Sequence, residues 1–263
     1  MTTPAASLDA TPSSPPAKPA APWEDLIDIF TSPVAVFTRR RDGRFWLPLL
    51  VSVLLGVSAF YVGRPVVRAA VEREMSAQAA KLAADPNLPA EQREAMANRV
   101  RGSVDSPYAV LLAAIGLPVT LFVSALSLWL VAKLFGSGAG LGQAMAVTSL
   151  ASIPRMVVGL AFSAISLAMG REAPTLYGAT VSPAALLGAD TPLLTAGLLS
   201  RLDLGLLWQT VLMGVGIALM GRYTRRGGER VVEGEISRGK GLTAAFIVWA
   251  LACLPVLAQV LRQ

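Results

Sequence analysis

The chain has 263 residues, of which 54% are hydrophobic and 15% charged, and its mean hydropathy is +0.56. This composition is too apolar for an ordinary soluble domain and is typical of an integral membrane protein. Histidine is absent, which excludes Ser-His-Asp hydrolase triads and histidine-based metal sites. The single cysteine, Cys253, excludes an internal disulfide and is expected to be a buried, unreactive thiol.

The formal net charge is +6 and the pI is near 10. Basic chains often bind nucleic acid, but here the arginines stand beside apolar runs instead of alternating with aromatic residues on a polar surface. Lysine and arginine next to apolar segments set the orientation of membrane helices. We therefore expect the positive charge to orient the chain in a bilayer and not to bind nucleic acid.

Two segments precede the first long apolar run. Residues 1–21 are rich in proline, alanine, serine and threonine, which predicts a disordered tail on the cytoplasmic side. The stretch WEDLIDIFTSPVAVF has apolar residues at helical spacing from Trp23 to Val34 and predicts an amphipathic helix that is broken near Pro33. Such a helix lies either in the membrane interface or on the protein's own core, and the pattern favours neither.

Five stretches are predicted to cross the bilayer, which makes residues 22–263 an all-α, polytopic membrane domain. About 20 mainly apolar residues are needed to span the hydrocarbon core. Proline inside a helix removes a hydrogen bond and bends the helix, so kinks are expected at Pro118, Pro154 and Pro255. The predicted spans are 46–63, 110–132, 147–169, 204–220 and 242–261.

Basic residues flank the predicted spans unevenly. Residues 39–44 precede the first span as RRRDGR, and residues 221–241, between the fourth and fifth spans, are also strongly basic. Lysine and arginine close to a span resist translocation, so both flanks are expected inside. Five crossings then place the N-terminus in the cytoplasm and the C-terminus outside, in what we expect to be a bacterial cytoplasmic membrane.

Two further stretches lie between the predicted spans, and each has a predicted structure. Residues 64–106 are expected to stand over the outer face as two helices separated by the turn DPNLP. Residues 182–200 are apolar but are interrupted by Gly188, Asp190 and Pro192. This second stretch is therefore predicted to be interfacial or re-entrant instead of a full span.

The sequence SLASIPRMVV places Pro154 and Arg155 inside the third predicted span. An ionisable residue in a span is a candidate functional residue, because it costs about 2.5–3.5 kcal/mol at the centre of a helix. With the outer end at Met169, a core of about 20 residues begins near Leu150, so Arg155 is expected about 8 Å from the inner boundary and able to snorkel. Three roles stay open: a contact with the inner interface or a freed carbonyl, a contact with lipid phosphate or a partner, and an anion-transport site.

Other charged residues are candidates for contacts with lipids or partners. Asp203 precedes the fourth span in SRLDLGLLWQT, where it is expected to cap the helix, with a functional contact as the alternative. Arg155 has no evident acidic partner within a span. The candidate contact residues are Arg155, Asp203, Arg222, Arg225 and Arg226.

Three features, in this order, resemble the Yip family of Ypt- or Rab-interacting proteins, and specifically its bacterial members. They are the WEDLIDIFTSPVAVF lead-in, the proline-containing SLASIPRMVVG, and LDLGLLWQTVLMGVGIALM followed by a basic loop and a final span. The resemblance covers about Trp23 to Val260 and implies a five-span helical fold with no enzymatic activity. For eukaryotic relatives the resemblance implies a role in membrane trafficking with Rab GTPases. This chain departs from those relatives in its long outer loop and its Pro-rich tail.

We therefore expect a non-enzymatic integral membrane protein that organises partners or lipids through its interfacial helix and basic inner loops. The expected partners are anionic headgroups of the bilayer, unidentified membrane or cytoplasmic proteins and a second copy of the chain, with no cofactor or metal. The alternative is a small transporter or channel subunit in which Arg155 contacts an anion. The odd number of spans and the missing acidic partner of Arg155 argue against that alternative.

Overall fold

A computed structural model of the protein describes most of the chain that follows the N-terminal tail. The tail predicted to be disordered, residues 1–21, lies outside the described residues. The described residues are 23–87, 89–102, 108–175, 177–178, 180–188, 190–226 and 229–260.

The described residues are mainly helical, as the apolar runs predict. A short 3₁₀ turn, Pro183–Leu186, precedes α7. The helices are α1 (Glu24–Thr31), α2 (Pro33–Arg39), α3 (Trp46–Ala84), α4 (Ala90–Gly102), α5 (Tyr108–Leu134), α6 (Leu141–Ala168), α7 (Leu193–Ser200), α8 (Leu204–Ala218) and α9 (Arg238–Val260).

Three of these helices, α3, α5 and α6, are long and apolar enough to cross a membrane. Helices α7 and α8 count as a fourth if they form one span, since they meet the same test together but are bent by 47° at a short break. Alone, α8 has 15 residues and a length of about 22 Å, which is shorter than a hydrocarbon core of about 30 Å. The described part of the chain thus has three or four candidate spans, and the count of five stays a prediction.

Helix α3 runs for 39 residues without a break. The structure therefore has no helix break between the predicted first span and the helix that follows it, and the membrane boundary at Gly63 stays a prediction. Pro65 lies inside α3, and tertiary contacts hold the helix on both sides of it. A Cβ at Gly63 would lie 3.1 Å from Ser163 Oγ of α6, and the amide of Ala173 donates to the carbonyl of Val66 at 2.7 Å. These contacts offset the free-energy cost of the helical hydrogen bond that the proline removes.

The core lies around the first half of α6, where every residue from 144 to 154 is buried. Small polar residues let α3 approach this segment closely. Ser52 Oγ lies 2.8 Å from the carbonyl oxygen of Ser149 and accepts a hydrogen bond from Ser152 Oγ at 3.0 Å. Because these hydroxyls are paired, burying them does not carry the cost of an unsatisfied polar group.

Helices α1 and α2 meet at Ser32, beside the predicted break at Pro33. One side of the pair packs on the protein's own core through Ile29, Val36 and Phe37, which are fully buried. The opposite side is apolar and exposed, and it consists of Trp23, Ile27, Phe30 and Val34. The structure therefore shows the packed face, and a location in the membrane interface stays a proposal.

The basic segment after α8 forms an antiparallel hairpin of β1 (Arg222–Arg226) and β2 (Glu229–Glu233). The hairpin occupies the predicted basic loop, and the other described elements agree with the predicted helical fold class. Arg222 pairs with Glu233, and Thr224 pairs with Val231. The sequence signal for the hairpin is the Gly-Gly dipeptide at 227–228 between two five-residue runs that contain β-branched residues.

Candidate functional site

Asp203 occupies the break between α7 and α8. Its Oδ1 accepts a hydrogen bond from the amide of Leu206 at 2.8 Å, which is the predicted N-terminal cap of α8. Its Oδ2 accepts a second hydrogen bond from the amide of Val181 at 3.1 Å. Both carboxylate oxygens are therefore held by backbone N–H groups, and the side chain is almost fully buried.

Arg155 of α6 lies beside this carboxylate. Its Nε is 3.9 Å from Asp203 Oδ1, and its Nη1 donates to Gln209 Oε1 at 3.4 Å. The sequence showed no acidic partner for Arg155 because the bend between α7 and α8, which brings Asp203 to it, has no clear signature in the residue pattern. Both contacts are longer than typical N–H···O hydrogen bonds, so most N–H donors of the guanidinium group have no close acceptor among the described residues.

Arg155 lies near the middle of α6, and Asp203 lies at the N-terminal end of α8. Arg155 is 14 residues after the first residue of α6, Leu141, and 13 before the last, Ala168, which is about 20 Å from each end. Asp203 is 15 residues from Ala218, the other end of α8, or about 22 Å. Because α6 has 28 residues and a length of about 42 Å, whereas a hydrocarbon core is about 30 Å thick, its middle does not fix a depth, and the expected position of Arg155 close to the inner boundary stays a prediction.

The missing side chain of Gly205 makes room for Arg155. A Cβ at Gly205 would lie 3.1 Å from Arg155 Cγ and 3.1 Å from Asp203 Oδ1. The aliphatic stem of Arg155 therefore lies across the first turn of α8, and its guanidinium group is directed toward Asp203 and Gln209.

These residues line a cavity of about 420 Å³ between the long helices, referred to below as the intramembrane cavity. Arg201, which stands in the bend after α7, lines it as well. The indole Nε1 of Trp249 in α9 donates to the carbonyl of Arg201 at 3.1 Å and so fixes the bend. The polar residues and the tryptophan of the lining include Arg155, Arg201, Asp203, Gln209, Thr210 and Trp249.

Neither Arg201 nor Gln209 is among the candidate residues that the sequence predicts. Both residues interrupt an apolar stretch that runs from α7 through α8. That interruption, taken together with Asp203, is the signal that points to a polar site, since polar residues inside a membrane domain face its interior or a cavity.

At one end of the bundle, three segments that are distant in sequence are joined into a surface that we name the basic platform. It comprises residues 40–45, the turn 136–143 and the β1–β2 hairpin with the residues next to it. Gln143 Nε2 donates to the carbonyl of Arg41 at 2.6 Å and to the carbonyl of Gly221 at 2.9 Å. The amide of Gly138 donates to the carbonyl of Gly234 at 2.7 Å.

Several arginines near the platform have partners within the protein. Arg41 Nε donates to the carbonyl of Leu219 at 2.9 Å, and its Nη2 forms an ion pair with Glu235. Arg39 forms ion pairs with Asp28 at 2.6 Å and with Asp25 at 2.7 Å. Burial lowers the pKa of Arg39, but its hydrogen bonds to the two aspartates outweigh this effect and leave the pKa above its ordinary value.

The candidate contact residues Arg222, Arg225 and Arg226 all fall in β1. Arg222 is exposed and lines a depression of about 520 Å³ together with Arg41 and Lys133. The side chains of Arg225 and Arg226 lie outside the described part of the structure. The structure therefore places the candidates in two separate sites, with Arg155 and Asp203 at the intramembrane cavity and the others at the basic platform.

The predicted kink prolines lie inside continuous helices. Pro118 is in α5 and Pro154 is in α6, where it is buried. Pro255 falls within α9, but its side chain is outside the described part of the structure. Bends at these three positions stay a prediction.

Comparisons with known proteins place the chain in a family. The family model of the Yip1 domain matches residues 27–260, which is most of the chain and includes both the intramembrane cavity and the basic platform. No curated protein and no solved structure matches the chain. The match agrees with the lead-in, the proline-containing helix and the basic segment on which the resemblance rests. The chain belongs to the Yip1 domain family, and its long apolar helices are those of a membrane protein.

Proposed function

We propose that the protein is a non-enzymatic, five-span membrane adaptor of bacterial type, which organises partner proteins or anionic lipids at its basic platform in the cytoplasm. The observation that carries the proposal is the double hydrogen bond from Gln143, which joins the platform's three segments at one end of the bundle. A surface built in this way holds its charges in fixed positions, as recognition of a partner requires.

The exposed basic residues of the platform attract anionic lipids or acidic partner proteins. Arg39 and Arg41 are engaged in ion pairs within the protein, whereas Arg222, Arg238 and Lys240 are exposed. Each lysine or arginine near an anionic membrane surface contributes about 1 kcal/mol. The same charges suit an acidic surface on a partner protein.

The exposed apolar side of α1 and α2 supports a location beside the membrane. Trp23, Ile27 and Phe30 stand on that side, while the opposite side packs on the core. An apolar helix face of this kind is buried in the headgroup region of a bilayer. In the proposed orientation, this places the N-terminus in the cytoplasm and the platform at the inner leaflet.

The adaptor function is tested by site-specific photo-crosslinking in cells. A photoreactive amino acid replaces Arg222 on the platform, or Ser76 on the distal half of α3, which is also exposed. We expect defined protein or lipid adducts from position 222 only, and we expect the double variant Arg238→Glu, Lys240→Glu to remove them. The same adducts from both positions, unaffected by the charge reversal, would contradict the proposal.

A second candidate function is transport, and the intramembrane cavity favours it. Broken helices beside polar residues at mid-depth are typical of transporter binding sites. The test is uptake of inorganic anions into proteoliposomes by the wild type, by Arg155→Gln and by Arg171→Gln, which changes the same charge at the exposed end of α6. The adaptor proposal expects no uptake above that of empty liposomes. Uptake that is lost in Arg155→Gln and retained in Arg171→Gln would establish transport instead.

A further inference from the structure

The intramembrane cavity has an imbalance of charge. Two arginines, Arg155 and Arg201, and one aspartate, Asp203, line it, and the described lining residues include no further arginine, lysine, aspartate or glutamate. Charged groups removed from water are costly unless they are paired. One carboxylate cannot neutralise two arginines, so the cavity has an excess positive charge.

The hydrogen bonds show the same imbalance. Asp203 already accepts from two backbone amides. The Nε of Arg201 is buried and has no hydrogen-bond partner among the described residues. Within the described part of the chain, Arg155 makes two contacts, both long, to Asp203 and Gln209. Among the described residues, the N–H donors of the two arginines therefore outnumber the acceptors that they contact.

The cavity is also large and open enough to admit a ligand. Its volume of about 420 Å³ falls within the range of about 300–1,000 Å³ that is typical of ligand sites. The side chain of Arg155 is 40% exposed, so the guanidinium is not sealed within the bundle. Apolar residues such as Phe162 and Val158 line much of the remaining wall, beside a few hydroxyl side chains, and apolar surroundings lower the local dielectric and strengthen an ionic contact.

We propose that the intramembrane cavity binds one phosphate group through Arg155 and Arg201. Phosphate oxygens accept hydrogen bonds only, and the planar guanidinium group binds them with two parallel N–H···O bonds. Asp203 holds Arg155 at the cavity, and Gln209 completes its orientation. The phosphate belongs either to a phospholipid headgroup or to a free inorganic anion. This inference goes beyond the adaptor function, and it requires binding without requiring transport.

The experiment uses the purified full chain, stripped of lipid in a non-ionic detergent and kept in phosphate-free buffer. One arm measures binding of radiolabelled inorganic phosphate by equilibrium dialysis. The other arm adds phosphatidylglycerol and counts bound lipids by native mass spectrometry. The variants are Arg155→Gln, Arg201→Gln and Arg155→Lys, and the matched control is Arg171→Gln, which does not line the cavity.

We expect the wild type and Arg171→Gln to bind one phosphate-bearing ligand with equal affinity. Arg155→Gln and Arg201→Gln should each weaken binding at least tenfold, and Arg155→Lys should weaken it less, since it keeps the charge. If inorganic phosphate binds in the absence of lipid and competes with added lipid, the ligand is a free anion. If binding is seen only with phosphatidylglycerol, the ligand is a phospholipid headgroup.

Two results would overturn the proposal. One is the absence of binding in both arms by folded wild-type protein. The other is unchanged binding in both glutamine variants. If Arg155→Gln fails to fold, as judged by size-exclusion chromatography, then Arg201→Gln decides the outcome, because Arg201 stands in the bend after α7 and not within the long helix α6.

Discussion

The aliphatic stem of Arg155 in α6 packs against the backbone of Gly205 in α8, at the point where α8 begins. A Cβ at Gly205 would lie 3.1 Å from Arg155 Cγ. The position of the only charged residue in the described part of α6 therefore depends on a residue without a side chain in a neighbouring helix. A substitution at Gly205 should therefore change the free energy of unfolding.

Gly205→Ala is expected to lower the free energy of unfolding by about 1 kcal/mol, since the added methyl group forces the Arg155 stem to shift. The measurement is chemical unfolding in detergent micelles. The control is Gly116→Ala in α5, where nothing lies within 4 Å of the added Cβ. Removing a helical glycine there should stabilise the protein by about 0.5–1 kcal/mol. A stabilising effect of the same size at Gly205 would show that Arg155 does not pack there.

Gly241→Ala is expected to destabilise the protein more strongly, by about 3 kcal/mol. A Cβ at Gly241 in α9 would overlap the carbonyl oxygen of Gly214 and would lie 2.8 Å from Ala218 Cβ, so α8 and α9 would have to separate. Thermal unfolding of the purified protein checks this expectation. The matched control is Gly239→Ala, two residues earlier in the same helix, where the nearest atom is 4.0 Å away. Equal unfolding temperatures for the two variants would contradict the close packing.

Asp25→Asn is expected to release α1 and α2 from the bundle. Asp25 is buried and forms ion pairs with Arg39 and Arg40, so its neutralisation takes this carboxylate from Arg40 and leaves Arg39 with Asp28 alone. The loss should be about 2–3 kcal/mol, because these arginines are partly exposed and the penalty is smaller than for a fully buried pair. Limited proteolysis at residues 23–39 reports the release.

Asp42→Asn is the control for this prediction. Asp42 pairs with Arg44, whose side chain is 83% exposed, and an exposed pair of this kind contributes about 0–1 kcal/mol. Cleavage at the same rate in both variants would show that the buried pair does not hold α1 and α2 in place.

Gln143→Glu is expected to loosen the basic platform. The substitution keeps the shape of the side chain but replaces the donor Nε2 with an oxygen, which would face the carbonyls of Arg41 and Gly221. Amide hydrogen exchange in β1 and β2 should accelerate about tenfold or more, since a lost buried hydrogen bond costs about 1–3 kcal/mol. Gln78→Glu, at an exposed position of α3, should leave the exchange unchanged. Unchanged exchange in Gln143→Glu would mean that the hairpin is held by other contacts.

The sequence predicts those parts of the protein that depend on local pattern. Hydropathy locates the apolar segments, and the residue type and position of Asp203 identify a helix cap. The turn after Asp85 and the helix that follows also lie where the local signals place them. These features are set by neighbouring residues, so the residue pattern is enough to find them.

The parts that the sequence did not reveal depend on contacts between distant segments. Helix α3 continues through Pro65 because residues of α6 and Ala173 hold it, and neither contact is visible in the local pattern. The partner of Arg155 was missed because the bend after α7 brings Asp203 to it. The cavity itself is formed by several helices and has no signature in any one of them.

The proposed adaptor function depends most on which side of the membrane holds the basic platform. Single cysteines introduced as Ser237→Cys beside the hairpin and as Ser76→Cys on α3, in a Cys253→Ser background, report this directly, since both serines are exposed. A membrane-impermeant maleimide applied to intact cells is predicted to label position 76 at once and position 237 only after permeabilisation. Labelling of position 237 in intact cells, with position 76 protected, would contradict the proposed orientation and with it the cytoplasmic adaptor function.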